Sequence, residues 1–416
     1  MHGIDTSLTS EVIVNADRIG DIDVVVGLPT YNVEETVANV ICCGAEGLNK
    51  FLPQQKGLIA VSDGNSQDRS IEVASNSAIP EAVELLTFKY QGIPGKGSAL
   101  RGIFELADRL GARAVVVVDA DLKSITPEWI NLLAGRILSG EFDLITPLYE
   151  RHRFDGTITK ALCYPLTRAL YGLRIRQPIG GDFGLSRMLV NTLLKIGDWQ
   201  SDIARFGIDI WLTTTAICEG FRIAQAHLGT KDHAHKDPAC DLHAMFGQVV
   251  GTLFSLMEKY EDRWQRLRGS HAVEIFGESP KVQYHPVDID QGCLISEFQK
   301  GLKEYGELWK EVFGLTLYSQ IKGLRRLKED EFVFPVHLWV KSIYNLAGAF
   351  KKGQCEREEL LRSLLPLYFG RTAGFKNEVL TETDCGVEMS LELQALGFET
   401  MKPYLVEKWN SGTQNS

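Results

Sequence analysis

The chain has 416 residues, a formal net charge of −10 and a hydrophobic fraction of 44%. That length allows one large or two ordinary domains with a sizeable core. The acidic balance argues against nucleic acid as the main partner, because phosphate binding wants a basic face. The eight cysteines form no CxxC pair, and so long a chain needs no disulfide staples, so a reduced, cytoplasmic protein is expected. Residues 1–20 read as a polar, acidic extension with no basic start and no apolar stretch, which is not a signal peptide. No apolar run approaches the roughly 20 residues of a membrane helix.

From residue 21 the pattern alternates. "DVVVGLPTYN" predicts a strand stopped at Pro29, and "EETVANVICCGAEGL" a helix with Val37, Val40, Ile41 and Leu48 on one face. "GLIAVSDGNS" predicts a strand and turn, "DRSIEVASNSA" a helix, and "AVELLTFKYQG" a short strand. "GKGSALRGIFELADRLG" predicts an amphipathic helix closed by Gly111. The four valines of "AVVVVDAD" predict a strand buried on both faces. "TPEWINLLAGRILSG" predicts a helix capped by Thr126, and "FDLITPLYE" another strand. Strands separated by helices predict an α/β fold with a mostly parallel sheet, whose ligands sit beyond the carboxyl ends of the strands. After about residue 240 the spacing is helical without strands. This predicts a sheet domain over 21–240 and a helical region over 241–408 that packs on the sheet, closes the site or makes a homodimer. A disordered tail is expected over 409–416.

The strand-end segments carry the chemistry. Asp119 and Asp121 close a hydrophobic strand, where ionised carboxylates need a compensating charge. Residues two apart on an extended chain point the same way, so both suit one hard cation, Mg²⁺ or Mn²⁺. "GIPGKGSAL" places Lys96 in a glycine-rich turn that opens a helix, where backbone N–H groups and a lysine suit a phosphate. It lacks Walker A spacing, and the first strand lacks the G-x-G-x-x-G of a dinucleotide fold. A DxD after the fourth strand also disfavours a haloacid-dehalogenase-type phosphatase. His233, His235 and His243 are candidate third ligands, and spacing alone does not choose among them.

In order and spacing, "VGLPTYNVEETVANVI", "VSDGNSQDRS", "PGKGSAL" and "VVVVDADL" resemble the GT-A glycosyltransferases. The likeness is closest to the retaining enzymes that make glucosylglycerate, mannosylglycerate or glucosyl-3-phosphoglycerate. It continues through "RQPIGGDFGLSR" and "FGIDIWLTTTA" to "AHKDPACDLHAMFGQVVGTL". The resemblance implies a nucleoside diphosphate sugar donor, a small anionic acceptor and a divalent cation, Mg²⁺ or Mn²⁺. By position it implies Pro29, Thr30 and Tyr31 at the nucleobase and ribose with Asp63 close by, and Gly95 and Lys96 at the diphosphate. Asp119 falls at the ribose or sugar, and Asp121 with His235 at the metal. Gly180, Gly181 and Asp182 fall at the sugar and acceptor pocket, and Asp209 against sugar or acceptor hydroxyls. Arg153 falls in a basic segment facing the acceptor's carboxylate or phosphate. Asp182 and Asp209 are the candidate catalytic carboxylates.

Val33 and Ser62 stand where the pattern has acidic residues, which leaves the nucleotide open. The resemblance implies retention; double displacement needs a carboxylate such as Asp182 or Asp209 on the opposite face of the sugar, and front-face attack, in which the departing phosphate oxygen takes the acceptor's proton, is favoured for lack of an evident nucleophile. A polyprenyl-phosphate or saccharide acceptor is the second reading, and a non-catalytic sugar-nucleotide-binding protein the third. A nucleotidyltransferase would want a basic, glycine-rich loop after the first strand, where this chain has the acidic "PTYNVEE".

Overall fold

The valine run forms a strand at the middle of an eight-stranded sheet. The computed structural model describes residues 6–232, 238–278, 287 and 289–411, with side chains for all but 238–242. The strands among these are β1 (Val24–Thr30), β2 (Gly57–Asp63), β3 (Val83–Lys89), β4 (Ala114–Val117), β5 (Leu144–Glu150), β6 (Leu173–Arg174), β7 (Phe183–Ser186), β8 (Ile223–Thr230), β9 (His271–Ala272) and β10 (Glu274–Phe276). The large sheet runs β10-β8-β5-β7-β4-β1-β2-β3. All its pairings are parallel except those of β7, which runs antiparallel to both β4 and β5.

Val24, Val26 and Leu28 of β1 share one core with Ile59, Val61, Val116 and Val118 and with helices Val37–Phe51 and Glu128–Leu138. Helix Lys96–Arg109 covers the other face, where Ile103 lies over Gly27. Burial on both faces is what a continuous β-branched run requires, each Val contributing about 1.5–3 kcal/mol. The parallel register ends β1 and β2 together, Thr30 opposite Asp63, so the loops after them lie side by side. Those loops are laced by hydrogen bonds: Asn32 N to Ser66 Oγ (2.9 Å), Val33 N to Ser70 Oγ (2.7 Å), Gln67 N to Asn32 Oδ1 (2.8 Å) and Arg69 N to Glu34 Oε2 (2.8 Å).

The chain divides into two units. The first is Met1–Glu150, Gln177–Asp237 and Val273–Gln283, and holds the large sheet; the second is Arg151–Arg176, Pro238–Ala272 and Tyr284–Ser416. The division is interleaved, where the composition change near residue 240 suggested one cut. Among its described residues, the only strands of the second unit are the short β6–β9 pair. Its Arg371 is buried and donates to Phe334 O, Gln394 Oε1 and both Glu378 oxygens.

At the termini one expectation is refined and one is corrected. The expected extension contains helix Ser10–Ile19, tied to the first unit by Asp17 to Arg109 and by Thr6 Oγ1 to Glu105 Oε2 (2.6 Å). The expected tail starts too early: Trp409 lies in helix Lys402–Asn410, is buried, and donates from its indole to Glu261 (2.8 Å). Residues 412–416 lie outside the described residues. Helix Glu128–Leu138 begins after Pro127 without a side-chain cap, so Thr126 does not cap it.

Two glycines test the packing. A β-carbon on Gly184 of β7 would lie 1.9 Å from Leu133 O in the helix above, whereas one on Gly247, within helix Pro238–Lys259, meets nothing within 4 Å. Gly184→Ala is expected to lower stability by about 3 kcal/mol through overpacking, and Gly247→Ala to raise it by about 0.5–1 kcal/mol. Urea unfolding of both variants checks the opposite signs.

Candidate active site

The carboxyl edge of the sheet gathers charged side chains from five separate stretches of chain. Lys96 is the first residue of its helix, and its ammonium sits 2.8 Å from Asp119 Oδ1 and 3.1 Å from Asp209 Oδ2. A lysine there faces the positive end of the helix dipole, and the two carboxylates offset it. Asp209 is itself in the first turn of helix Ile208–Cys218, where a negative charge is favoured.

Lys231 follows the end of β8. Its ammonium donates to Asp119 Oδ2 (2.6 Å), Asp182 Oδ2 (2.7 Å) and Gly180 O (2.8 Å). Asp182 immediately precedes β7, and the antiparallel register of β7 on β4 brings it beside Asp119, whose N–H donates to Asp182 Oδ1 (2.8 Å). The Tyr149 hydroxyl, at the end of β5, also donates to Asp182 Oδ2. Gly181 lets these groups meet. Its φ is +87°, and a β-carbon there would lie 2.3 Å from Asp119 Oδ2 and 2.8 Å from Lys231 Nζ. Gly180 lies equally close under Pro147.

The electrostatics follow from this arrangement. Burial opposes ionisation of Asp119, but Lys231 and Lys96 outweigh it and hold its pKa far below the ordinary carboxylate range. Burial likewise opposes the charge on Lys96, and Asp119 and Asp209 outweigh it, so the ammonium persists. For Asp182 and Asp209 burial dominates, with the like charge of Asp119 adding to it, and both pKa values are raised.

The expected residues fall into groups. Asp119, Lys96, Asp209, Asp182, Gly180 and Gly181 converge. Asp182 has no exposed surface and accepts from Asp119 N, Tyr149 and Lys231, so it organises the site and has no oxygen to offer as a nucleophile. Asp209 keeps one: its Oδ1 is buried and has no hydrogen-bond partner among the described residues. Gly95 lies in the turn before Lys96, where its N–H donates to the Tyr90 hydroxyl (2.9 Å), while Gly97 N–H donates to Arg205 O (3.2 Å). Pro29 is half-buried and Thr30 fully buried at the end of β1, and Tyr31 stands 59% exposed beyond them. Asp63 is buried and accepts from Ser66 N (2.9 Å) and Ser66 Oγ (2.5 Å), which shapes its own turn.

Asp121 does not lie on an extended chain with Asp119: β4 ends at Val117 and the chain turns at Ala120–Asp121. Alternation therefore does not aim the two carboxylates together. His235 and His233 lie outside the described residues, and His243 is exposed. Among the described residues no group of three His, Cys, Asp or Glu side chains gathers as a metal site. Arg153 belongs to the second unit, where it donates to Val379 O and Glu382 O (both 2.9 Å) and pairs with Asp384. Those bonds engage the guanidinium expected to meet the acceptor.

Lys231 and Tyr149 escaped the sequence reading. The signal for Lys231 was a charge imbalance, since Asp119, Asp182 and Asp209 share one crevice with Lys96 as the only side-chain cation assigned to them.

The sequence model described as "Mannosylglycerate synthase, GT domain" matches residues 12–256. The chain belongs to this family. The parallel sheet with its antiparallel β7 is accordingly the GT-A fold of a glycosyltransferase. A curated relative, glycosyltransferase AglD of Haloferax volcanii, is 30% identical over 125 residues, which are 30% of this chain and 19% of that protein's length. Among solved structures, glucosyl-3-phosphoglycerate synthase from Mycobacterium tuberculosis with Mg²⁺ and uridine diphosphate is 25% identical, with a TM-score of 0.46 over 61% of this chain and 84% of that one. The same enzyme with Mn²⁺, uridine diphosphate and glucosyl-3-phosphoglycerate is 25% identical, with a TM-score of 0.45 over 61% and 85%. No helix among the described residues is long and apolar enough to cross a membrane.

Replacing Lys231 tests the electrostatics of this glycosyltransferase site. Lys231→Met leaves buried Asp182 without its ammonium and Asp119 with Lys96 alone, and should cost about 3–5 kcal/mol at pH 7.5. A carboxylate with a raised pKa binds its proton more tightly folded than unfolded, so its destabilising effect grows with pH and is relieved by acid. The gap between variant and wild type should therefore narrow toward pH 5. Urea unfolding at the two pH values measures it, and a pH-independent gap would count against the charge argument.

Proposed function

We propose that this glycosyltransferase moves glucose or mannose from a nucleoside diphosphate sugar to a small hydroxy acid such as glycerate or 3-phosphoglycerate. One observation carries the reading within the family: the Lys96 ammonium bonds Oδ2 of Asp209 at the carboxyl edge of the sheet, while Asp209 Oδ1 has no partner among the described residues. The ammonium is a preorganised positive charge for the departing diphosphate, which gains negative charge as the glycosidic bond breaks. The unpartnered carboxylate oxygen is the acceptor this reading assigns to a hydroxyl of the sugar or acceptor. Asp119, kept ionised by two lysines, is a fixed acceptor for a ribose or sugar hydroxyl.

The residues that would hold Mg²⁺ or Mn²⁺ are Asp121 and His235, with the donor's phosphate oxygens completing the shell. Asp121 is a hard oxygen donor on the loop after β4, as these cations require. Asp232 N–H donates to Ser124 Oγ (2.9 Å) and its carbonyl accepts from Lys123 N (2.9 Å), so the segment after β8 is bonded to the one that follows Asp121. When bound, the cation supplies Lewis-acid stabilisation of the leaving diphosphate. The saturation of Asp182 supports front-face transfer with retention, in which the acceptor's proton passes to the departing phosphate oxygen.

Transfer is measured by nucleotide release from UDP, GDP and ADP sugars with Mn²⁺, crossed with glycerate and 3-phosphoglycerate. One donor–acceptor pair should turn over, and Lys96→Ala should lower its kcat by about 10²–10³-fold. Asp121→Ala should lose metal-dependent transfer with an unchanged unfolding midpoint. Full activity of that variant in chelator-treated buffer would remove Asp121 from the site.

A further inference from the structure

The glycine loop that carries Lys96 is held by a side chain that neither the family likeness nor the charge cluster points to. Tyr90 is the first residue after β3. Its hydroxyl accepts from Gly95 N (2.9 Å) and donates to Gly95 O (3.2 Å), so one group holds the peptides on both sides of Gly95. Gly95 is the residue before the helix, no side chain caps that helix, and Gly95 O accepts the helix bond from Ala99 N (3.2 Å). The hydroxyl therefore acts where an N-cap would, on the residue that fixes where the helix and Lys96 begin. Its own position is set by the turn after β2, since a β-carbon on Gly64 would lie 3.2 Å from it. The adjacent Lys89 ties the same turn through Asn65 Oδ1 (3.0 Å). Across the loop, a β-carbon on Gly97 would lie 1.8 Å from Ile203 O, so the helix start is fitted between Tyr90 and the 202–205 turn.

We propose that Tyr90 is a positioning residue for the donor diphosphate: by clamping Gly95 it holds the Lys96 ammonium at the place where Asp119 and Asp209 meet it. This rests on the reading of Lys96 as a diphosphate contact. Glycine-rich loops lose much conformational freedom on ordering, and Gly92, at φ +122°, and Gly95 flank the turn that leads to Lys96. A clamp that settles this loop before the donor arrives reduces what binding must otherwise order. Burial, aided by nearby Asp63 and Tyr31, keeps the Tyr90 pKa above its ordinary value despite the bond to Gly95, so the hydroxyl retains the proton it donates.

The test uses the full chain with Mn²⁺ and calorimetric titration of UDP, GDP and ADP, then of the parent nucleoside of whichever diphosphate binds best. Tyr90→Phe keeps the ring and removes only the hydroxyl. It should weaken diphosphate binding about tenfold, leave nucleoside binding unchanged, and raise the donor KM with little change in the acceptor KM. In a Lys96→Met background the same substitution should have no further effect on diphosphate binding. Equal diphosphate affinity of wild type and Tyr90→Phe, or the same loss with Lys96 already removed, would overturn the assignment of Tyr90 while leaving the donor reading intact. A wild-type chain that binds none of the three diphosphates would overturn the donor reading, and the inference with it.

Discussion

A single buried ammonium makes the rest of this site possible. Asp119 and Asp182 are drawn together by the antiparallel approach of β7 to β4, and two carboxylates that close repel each other and resist ionisation. Lys231 stands between them, with its own surface almost wholly removed from solvent, and binds Gly180 O as well. Pairing of this kind seldom adds net stability over a well-packed apolar core. Its effect here is to specify: it fixes the Gly180–Asp182 turn against Asp119 and keeps that carboxylate ionised.

Around this pair the fold supplies rigid mounts. Lys96 stands on a helix whose start is held by Tyr90 on one side and by the 202–205 turn on the other. Asp209 stands on another helix, Lys231 at the end of β8 and Tyr149 near the end of β5. The loops after β1 and β2 hold each other through Asn32, Glu34, Ser66 and Ser70. A site built in this way meets its ligands with little reorganisation, which is the condition for electrostatic catalysis of a step in which charge moves onto a leaving group. The charges divide the labour: Asp182 is consumed by structure, Asp119 is held ionised, and Asp209 has an oxygen in reserve.

Much of the first unit was legible because its signals are local. Continuous valines gave buried parallel strands, 3.6-residue spacing gave helices, the strand-end segments named Lys96 and Asp119, and the family resemblance named Asp209. The misses were non-local or rested on an idealised geometry. Alternation along an extended chain placed Asp119 and Asp121 on one side, but the strand stops at Val117 and a turn intervenes. The glycine turn promised free N–H donors, but at Gly95 and Gly97 they are used by Tyr90 and Arg205, which are distant or unremarkable in sequence. Arg153 was placed at the acceptor by the family resemblance; the second unit uses it to bind the carbonyls at the end of a helix and the turn that follows.

By itself the sequence determined the class of fold, the family, and which strand-end stretches carry charge, because burial patterns and turn residues are written in neighbouring positions. Tertiary structure alone decided which charges pair. Lys231 lies 112 residues from Asp119 and 49 from Asp182 along the chain. Only the antiparallel register of β7, and the missing side chain at Gly181, bring the three within bonding distance. Pairing energies depend on distance in space and on local burial, and neither is encoded in the spacing of residues along the chain.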